Sequence, residues 1–363
     1  MKIGIILHPY GEEHPGGLPR IIYGWAEALM SVDGENEYII YLKEKPDIMP
    51  TFLGRARVVV LGVGPFWLNR LRRVEQADVY LFNTPVLPLF WKPKRALVIV
   101  LDYPYKYLKA KNVRERVFRL FISIYHRYSL ARADHIIAVS NATKEDTLRF
   151  FGVPKEKISV VYHGFKKICE LPEMEVTLPE HFFFFAGTMK ERKNVLNIIK
   201  AFELFLKNNP QAPEMLVLAG KNEGPYYNMI LEYIEKHSIK KVFFVGHLNE
   251  EQLSFAYKRA RALVFPSIVE GTGFPVLEAT GCSVPVVTSN IFGPAELGAN
   301  GGAILINPYH PEEIRAALEK ITSDPDFRAA QIERGRIQAA RFSWTNTGQE
   351  TLALIKRLFD EKK

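Results

Sequence analysis

Short apolar runs alternate with amphipathic stretches along this chain, and that alternation restricts the fold more than any other feature. The runs are continuous and rich in Val, Ile, Leu and Phe, which is typical of strands buried on both faces of a parallel sheet. In the first half we predict strands at 3–7, 38–42, 58–61, 79–82, 97–101 and 135–139, with helices at 18–30, 113–131 and 142–150. Such alternation favours an α/β fold with helices on both faces of the sheet.

Residues 165–181 interrupt the pattern, because they contain Pro172 and Pro179, mixed charges and little periodicity. A second alternating series follows, with strands predicted at 182–186, 216–219, 242–245, 262–265, 284–288 and 303–306, and helices at 195–208, 226–236, 250–259, 276–281, 311–321 and 345–358. We therefore predict two Rossmann-like domains, at 1–165 and 182–345, joined by a linker at 166–181. A C-terminal helix at 346–363 is expected to pack back towards the first domain.

Composition narrows the class of protein. A length of 363 residues suits two domains, and an apolar fraction of 47% with 24% charged residues is ordinary for a globular protein. Cys169 and Cys282 lie far apart in sequence, which argues against a disulfide framework or a cysteine-based metal site. The apolar run near Met1 is too short for a signal peptide, and no run is long enough to span a bilayer. We expect a cytoplasmic protein.

The net charge of +8 is unevenly distributed, since the first 165 residues carry all of the excess. Residues 91–132 alone hold eleven Lys and Arg against Asp102 and Glu115. A basic region of this kind attracts nucleic acid, anionic lipid or a phosphorylated substrate, although a solvated helix face is the simpler interpretation. The aromatic residues Trp67, Trp91 and those between 105 and 128 favour reversible contact with an anionic membrane over nucleic acid.

The segment from Glu270 to Glu278 is the strongest candidate for a functional site. It follows the predicted strand at 262–265 and leads into a predicted helix. Gly271 and Gly273 allow a ligand to approach the backbone closely, and the N-terminus of the helix offers unpaired N–H groups to a phosphate. Two carboxylates beside that point would suit the hydroxyl groups of the same ligand. The pattern therefore indicates a ligand such as a nucleotide-sugar.

This segment resembles the E-x7-E signature of the retaining glycosyltransferases of family 4, whose usual form is E-G-F-G-L-P-x-L-E-A. Thr272 and Phe274 stand where Phe and Leu are commoner, and 281–289 resembles the G-x-P-V-I-x-S segment that follows. The matching residues are Glu270, Gly271, Gly273, Pro275, Leu277, Glu278 and Ala279. The resemblance implies a GT-B fold with a cleft between its two domains. It also implies that the amides of Gly271, Thr272, Gly273 and Phe274 cradle the sugar and phosphate, with Glu270 at the sugar and Glu278 at the ribose.

A second match lies between the first strand and first helix of the second half. Gly187 to Asn194 resembles the G-R/T-x-x-x-R-K-N/G segment of the family, in which the lysine, here Lys193, contacts the phosphates. Arg192 supplies a second cation, because Thr188 stands where many members have arginine. We also assign Gly246 and His247, directly after the predicted strand 242–245, to the donor site.

The first half matches the family less completely. Gly16, Gly17 and Arg20 resemble the G-G-x-x-R loop on the acceptor side. Many members carry His-Asp where this chain has Leu101 and Asp102. Asp102 keeps a predicted role at the transferred sugar, and the missing histidine leaves open a protein that binds without catalysing.

Together these matches predict a retaining hexosyltransferase that takes its sugar from GDP-mannose or a UDP-sugar and delivers it to a glycan or lipid-linked glycan. We expect no obligatory metal, because Asp324-Pro325-Asp326 is interpreted as a helix cap and turn. We expect no nucleic-acid partner, and peripheral contact with the inner face of an anionic membrane. The alternatives are a phosphorylase or epimerase on the same fold, and a non-catalytic scaffold that binds nucleotide-sugars or membranes.

Overall fold

The chain forms two compact units in a computed structural model that describes residues 1–8, 17–46 and 51–361. Unit 1 comprises Met1–Gly164 together with Ser343–Lys363, and unit 2 comprises Phe165–Phe342. The C-terminal residues thus return to the unit that contains the N-terminus.

Unit 1 is built on a parallel sheet. Its strands are β1 (Lys2–Leu7), β2 (Glu37–Leu42), β3 (Arg57–Val60), β4 (Val79–Phe82), β5 (Ala96–Val100), β6 (His135–Ala138) and β7 (Ile158–Val160). They are ordered β3-β2-β1-β4-β5-β6-β7, with Ile6 opposite Phe82 in the central pair. The chain therefore reverses its direction of winding between β1 and β4. The central strands β4, β5 and β6 are buried along their whole length, as their continuous apolar sequences predict.

The helices of unit 1 cover both faces of this sheet. They are α1 (Gly17–Ser31), α2 (Pro104–Tyr107), α3 (Val113–Arg132), α4 (Asn141–Phe151) and α12 (Trp344–Asp360), which ends the chain. Ser140 caps α4 by accepting a hydrogen bond from the backbone N–H of Thr143. Helix α12 packs on α1, where the Trp25 indole donates to Thr351 Oγ1 at 2.9 Å.

Unit 2 repeats the same winding with one strand fewer. Its strands are β8 (Phe182–Ala186), β9 (Met215–Ala219), β10 (Val242–Gly246), β11 (Ala262–Phe265), β12 (Val286–Ser289) and β13 (Ile304–Ile306), ordered β10-β9-β8-β11-β12-β13. Its helices are α5 (Val195–Asn208), α6 (Pro225–Lys236), α7 (Glu250–Arg259), α8 (Phe274–Gly281), α9 (Phe292–Leu297), α10 (Pro311–Ser323) and α11 (Pro325–Ala339). The two sheets confirm the predicted fold of two Rossmann-like parallel domains.

Several predicted elements differ from the structure. Strand β7 and helices α2, α9 and α11 were not predicted, and β12 begins two residues later than expected. The cap at Asp324 is confirmed, because its side chain accepts from the backbone N–H of Phe327, but it opens the long helix α11. The buried face of α11 includes Gln331 and Gln338, and it therefore lacks the apolar periodicity that would have predicted it.

The expectation that the two cysteines are unrelated is wrong. Cys169 and Cys282 form a disulfide within unit 2, with their Cα atoms 5.4 Å apart. Cys282 directly follows α8, and Cys169 lies in a 3₁₀ turn, Ile168–Glu170, that packs on α7 and α8. The pair is separated by 113 residues in sequence, so that only the folded chain brings it together.

Candidate functional site

The strand order of unit 2 brings two predicted site segments to the same point. β8 and β11 are neighbours at the centre of the sheet, where the winding reverses. Ligands of open α/β sheets bind outside the carboxyl ends of the strands at such a reversal. Gly187 follows the carboxyl end of β8, and the segment from Pro266 to Gly273 follows that of β11. The two segments that carry the family resemblance therefore meet at this edge.

The segment after β8 is tied to the segment after β11 by hydrogen bonds. A 3₁₀ turn at Glu191–Lys193 ends at Asn194, which has φ of +59°. The Asn194 side chain donates to the carbonyl oxygens of Pro266 at 3.1 Å and Pro308 at 2.6 Å. The backbone N–H of Ile268 donates to the Arg192 carbonyl at 2.9 Å. These bonds hold the two cations of the turn beside the acidic loop.

Arg192, Lys193 and Glu270 form an ion-paired triad, and both cations contact one oxygen. Arg192 Nη1 lies 2.8 Å from Glu270 Oε2, and Lys193 Nζ donates to the same oxygen. The side chains are 25%, 9% and 14% exposed respectively, so the triad is shielded but reachable from solvent. Lys193 Nζ also lies 4.6 Å from the centroid of the Phe265 ring. Two positive charges therefore converge on one carboxylate at the sheet edge.

The charge state of Glu270 follows from this setting. Burial acts to raise the pKa of its carboxyl, but the charges and hydrogen bonds of Lys193 and Arg192 outweigh burial and lower the pKa below its ordinary value. The carboxylate is therefore ionised at neutral pH. Its stabilising contribution is present above the ordinary carboxyl pKa and is lost as the pH falls through the lowered value.

Glycines lead from the triad into helix α8. Gly273 has φ of +117° and immediately precedes Phe274, the first helical residue. A Cβ atom on Gly293 would lie 2.0 Å from the Gly271 carbonyl oxygen, because α9 packs directly against this loop. The backbone N–H of Gly293 also donates to the Glu270 carbonyl at 3.1 Å. The loop is thus held by α9, and the N-terminus of α8 begins at the loop's end.

Glu278, the second carboxylate of the signature, lies in α8 and is 2% exposed. The Tyr257 hydroxyl, on α7, donates to Glu278 Oε2 at 3.1 Å. Tyr257 is itself buried against Phe184 of β8, with ring centroids 5.4 Å apart. The carboxylate is therefore positioned by a neighbouring helix, and no local sequence pattern marks Tyr257 as its partner.

Backbone contacts between glycines continue along the same sheet edge. The Gly187 N–H donates to the Ala219 carbonyl at 2.9 Å, and the Gly220 N–H donates to the Gly246 carbonyl at 2.7 Å. A Cβ on Gly220 would lie 1.8 Å from the Gly187 carbonyl oxygen, so this position requires glycine. Sequence reasoning missed Gly220, although a glycine directly after a strand was a usable signal. Thr188 and His247, which follow Gly187 and Gly246 in sequence, are exposed.

The remaining predicted residues belong to unit 1. Asp102 lies two residues beyond the end of β5 and is partly exposed, next to the fully buried Tyr103. Gly17 is the first residue of α1, and Arg20 is partly exposed in the same helix. Gly16 lies outside the described residues. The structure thus assembles Arg192, Lys193, Glu270 and the α8 loop in one unit and places Asp102, Gly17 and Arg20 in the other.

No group of three or more His, Cys, Asp or Glu side chains in residues 1–8, 17–46 and 51–361 is arranged to hold a metal ion. In the same part of the chain, no helix combines the length and hydropathy needed to cross a bilayer.

Comparison with protein families gives two matches that lie side by side. The model described as glycosyl transferases group 1 matches residues 173–338, and the model described as glycosyltransferase family 4 matches residues 16–166. Unit 2 therefore carries the first match and unit 1 the second, and both triad segments lie within the first.

Curated relatives include mannosyltransferases from Escherichia coli. O-antigen chain mannosyltransferase B is 27% identical over 294 residues, covering 77% of this chain and 74% of its own length. The serotype-specific mannosyltransferase WbdA is 26% identical over 305 residues, covering 79% of this chain. The match spans only 36% of WbdA, which is a much longer protein.

Solved structures share the fold over almost the whole chain. Sucrose-phosphate synthase from Thermosynechococcus elongatus superimposes with a TM-score of 0.79 at 18% identity, covering 99% of both chains. Anabaena Alr3699/HepE, solved with UDP-glucose, gives a TM-score of 0.75 at 16% identity and covers 98% of this chain and all of its own. At these identities the likeness shows the GT-B fold alone.

Proposed function

Because the chain belongs to glycosyltransferase family 4 and is a hexosyltransferase with a nucleotide-sugar donor, we propose that it is a retaining mannosyltransferase that uses GDP-mannose. The acceptor is a glycan or lipid-linked glycan. The mannosyltransferase names of its relatives support mannose as the sugar. UDP-sugars are the second candidate donors, since a structural neighbour was solved with UDP-glucose.

The observation that carries this proposal is the triad at the carboxyl edge of β8 and β11. Two cations shielded from solvent and held on one carboxylate suit a ligand that brings its own negative charge. In the reaction the acceptor hydroxyl replaces the nucleoside diphosphate at the anomeric carbon, and negative charge develops on the departing diphosphate. Arg192 and Lys193 would stabilise that charge, with the arginine offering a planar fork and the lysine a compact charge.

The other donor contacts follow from the positions of the residues. The N-terminus of α8, with the amides of Gly271, Thr272, Gly273 and Phe274, would hold phosphate and sugar oxygens. Glu278 would contact the ribose, and Glu270 would contact the sugar hydroxyls once the donor draws away its two cations. Gly187, Thr188, Gly246 and His247 would line the nucleotide. This scheme needs no obligatory metal, because the two side-chain cations supply the positive charge.

Asp102 would contact the transferred sugar, and Gly16, Gly17 and Arg20 would serve the acceptor. We propose that the enzyme works in the cytoplasm, where nucleotide-sugars are supplied, and reaches a lipid-linked acceptor at the inner face of the membrane. The excess of positive charge in residues 1–165 supports contact with anionic lipid and leaves no need for a nucleic-acid partner.

Turnover of a panel of donors by the purified protein with a lipid-linked glycan acceptor tests the proposal. We expect free nucleotide to be released only when the acceptor is present, which separates a transferase from a phosphorylase or an epimerase. Lys193→Ala should lower kcat/KM by about 10²–10³-fold, the usual cost of losing one charge-stabilising group. Lys207→Ala, a surface lysine on α5 that pairs with Glu203, is the matched control. An unchanged kcat/KM for Lys193→Ala would contradict the proposal.

Leu101 favours one alternative, since many family members have histidine before the aspartate. A scaffold that binds the donor without catalysing would be stabilised by nucleotide-sugars and would transfer sugar to no acceptor. Leu101→His would then be the variant to assay, because gain of turnover in it alone would assign the native protein to the binding class.

A further inference from the structure

Helix α3 exposes most of its large apolar residues to solvent. Six of them, Val113, Val117, Phe118, Leu120, Phe121 and Ile124, are 59–75% exposed. Positions 113, 117, 120, 121 and 124 follow the spacing that places side chains on one face of a helix. Contiguous exposed apolar surface of this kind marks an interaction site on a protein. We refer to these six residues as the α3 stripe.

The opposite face of α3 is held to unit 1 largely through polar groups. Lys106 Nζ donates to Ser123 Oγ at 2.6 Å, and Ser129 Oγ accepts a hydrogen bond from the backbone N–H of Leu87 at 3.0 Å. Arg119 bonds to Glu115 and to carbonyl groups of the preceding loop. The helix is therefore anchored by hydrogen bonds on its inner side, and its apolar side chains are left for a partner.

Arginines border the stripe on both sides. By helical geometry Arg114 and Arg132 lie along one edge, and Arg116 and Arg127 lie along the other. Glu115 is the only acidic residue of α3, and it pairs with Arg119. The four arginines beside the stripe and just beyond its C-terminal end therefore make the charge around it positive.

The apolar surface extends beyond α3. Phe66 and Phe90 are 52% and 70% exposed, and their ring centroids lie 5.5 Å apart. Phe90 directly follows Leu89, to which Tyr128 of α3 bonds, and its N–H donates to Asn69 Oδ1 at 2.7 Å. This pair is therefore fixed next to the C-terminal part of α3.

From these features we propose that the α3 stripe and its arginines bind the surface of an anionic lipid bilayer, a partner that deepens the function proposed above and rests on it. Apolar side chains with a basic border are the pattern of helices that lie in the membrane interface. With five arginines in twenty residues, α3 lies on a bilayer and does not cross it. The charge selects lipid headgroups over an apolar protein partner, because each arginine near an anionic surface adds attraction.

Co-sedimentation of the whole protein with acceptor-free vesicles tests this proposal. The vesicles are phosphatidylcholine alone or phosphatidylcholine mixed with phosphatidylglycerol. We expect binding to the mixed vesicles that weakens with salt. Leu120→Gln/Phe121→Gln/Ile124→Gln should lower the partition coefficient by about a hundredfold or more. Arg114→Gln/Arg116→Gln should lower it by about thirtyfold on mixed vesicles only. Ile337→Gln, on α11 and 58% exposed, is the matched apolar control and should bind normally.

Thermal stabilisation by donor nucleotides is measured on the same proteins. If nucleotides stabilise the triple variant as much as the native protein while the variant no longer binds vesicles, the membrane-binding role of the α3 stripe is supported. This result does not depend on whether transfer activity is found. Vesicle binding by the triple variant equal to that of the native protein would overturn the proposal. A lipid-free dimer of the native protein that the triple variant does not form would also overturn it and assign the stripe to a second copy of the chain.

Discussion

Units 1 and 2 wind their strands in the same order, yet their positively charged side chains are placed differently. In unit 2, Arg192 and Lys193 converge on Glu270 at the carboxyl edge of the sheet, partly or largely shielded from solvent. In unit 1, the arginines of α3 surround apolar side chains that face outward. Partly buried cations at the point where the strand order reverses suit a small anion, whereas exposed arginines along a helix suit a broad anionic surface. We therefore propose that the same fold serves chemistry in unit 2 and membrane docking in unit 1.

Removal of the disulfide should have the largest effect on stability. That effect should be confined to unit 2, because both cysteines lie there. In the chain-entropy account, a bond that closes a loop of about this length contributes about 4–5 kcal/mol. Cys169→Ser/Cys282→Ser should lower the free energy of unfolding by a comparable amount, measured in urea without reductant. The control is the native protein in reductant, which should match the variant. Equal stability of all three samples would show that the bond does not form in solution.

Glu270→Gln should lower the activity that we assign to unit 2 and leave unchanged the vesicle binding that we assign to unit 1. The change removes the charge that organises Arg192 and Lys193, and we expect kcat/KM to fall by about 10²–10³-fold. Vesicle binding through the α3 stripe should not change. Glu191→Gln, an exposed position in the same turn as the two cations, is the matched control. Activity of Glu270→Gln close to that of the control would contradict the role given to the triad.

Tyr257→Phe sharpens the assignment of Glu278. Removal of the hydroxyl leaves a buried carboxylate oxygen without that donor, which costs about 1–3 kcal/mol. We expect weaker donor binding, seen as a raised KM for the nucleotide-sugar, with little change in kcat. A change in kcat alone would move Glu278 from ribose binding to the chemical step.

Acidification should lower the stability of the folded protein gradually and by a smaller amount, through two histidines of unit 1. Burial, with a lesser contribution from Lys106, lowers the pKa of His126 to about 4. Burial, with Arg357 and Lys157, likewise lowers the pKa of His135 to about 4. Both rings are neutral in the folded state and gain protons more readily when unfolded. Their contribution to stability is therefore complete above the ordinary histidine pKa of about 6.5 and is lost as the pH falls to about 4.

Melting temperatures at pH 7 and pH 5 measure this effect. The native protein should melt lower at pH 5, and His126→Gln/His135→Gln should lose less on acidification. An equal loss in both proteins would assign the acid sensitivity to other groups.

Much of the fold could be predicted because its information is local. The apolar runs of β8 and β11 predict buried strands within short windows of sequence, and the glycines beside Glu270 predict a loop that a ligand can approach closely. Helix α11 could not be predicted by periodicity, because glutamines occupy part of its buried face. The pairing of Lys193 with Glu270 across 77 residues depends on the adjacency of β8 and β11, which no local pattern encodes.

The outward-facing stripe illustrates the same limit. The sequence predicts a basic amphipathic helix at 113–131, and an apolar face on such a helix is normally expected to pack inward. Only the contacts of Arg119, Ser123 and Ser129 with neighbouring segments of unit 1 reveal that the polar face is the inner one. Which face of an amphipathic helix packs inward thus depends on tertiary contacts.

Thermal stabilisation by GDP, UDP, ADP and their sugar conjugates tests the central claim most directly, namely that Arg192, Lys193 and Glu270 mark a nucleotide diphosphate site. At about 100 times its Kd, a ligand stabilises the folded protein by about 2.7 kcal/mol, which a melting curve resolves easily. We predict that one nucleotide, GDP first, stabilises the native protein and that Lys193→Ala abolishes most of the shift. The claim would be contradicted if no nucleotide shifted the melting temperature, or if Lys193→Ala were stabilised as much as the native protein.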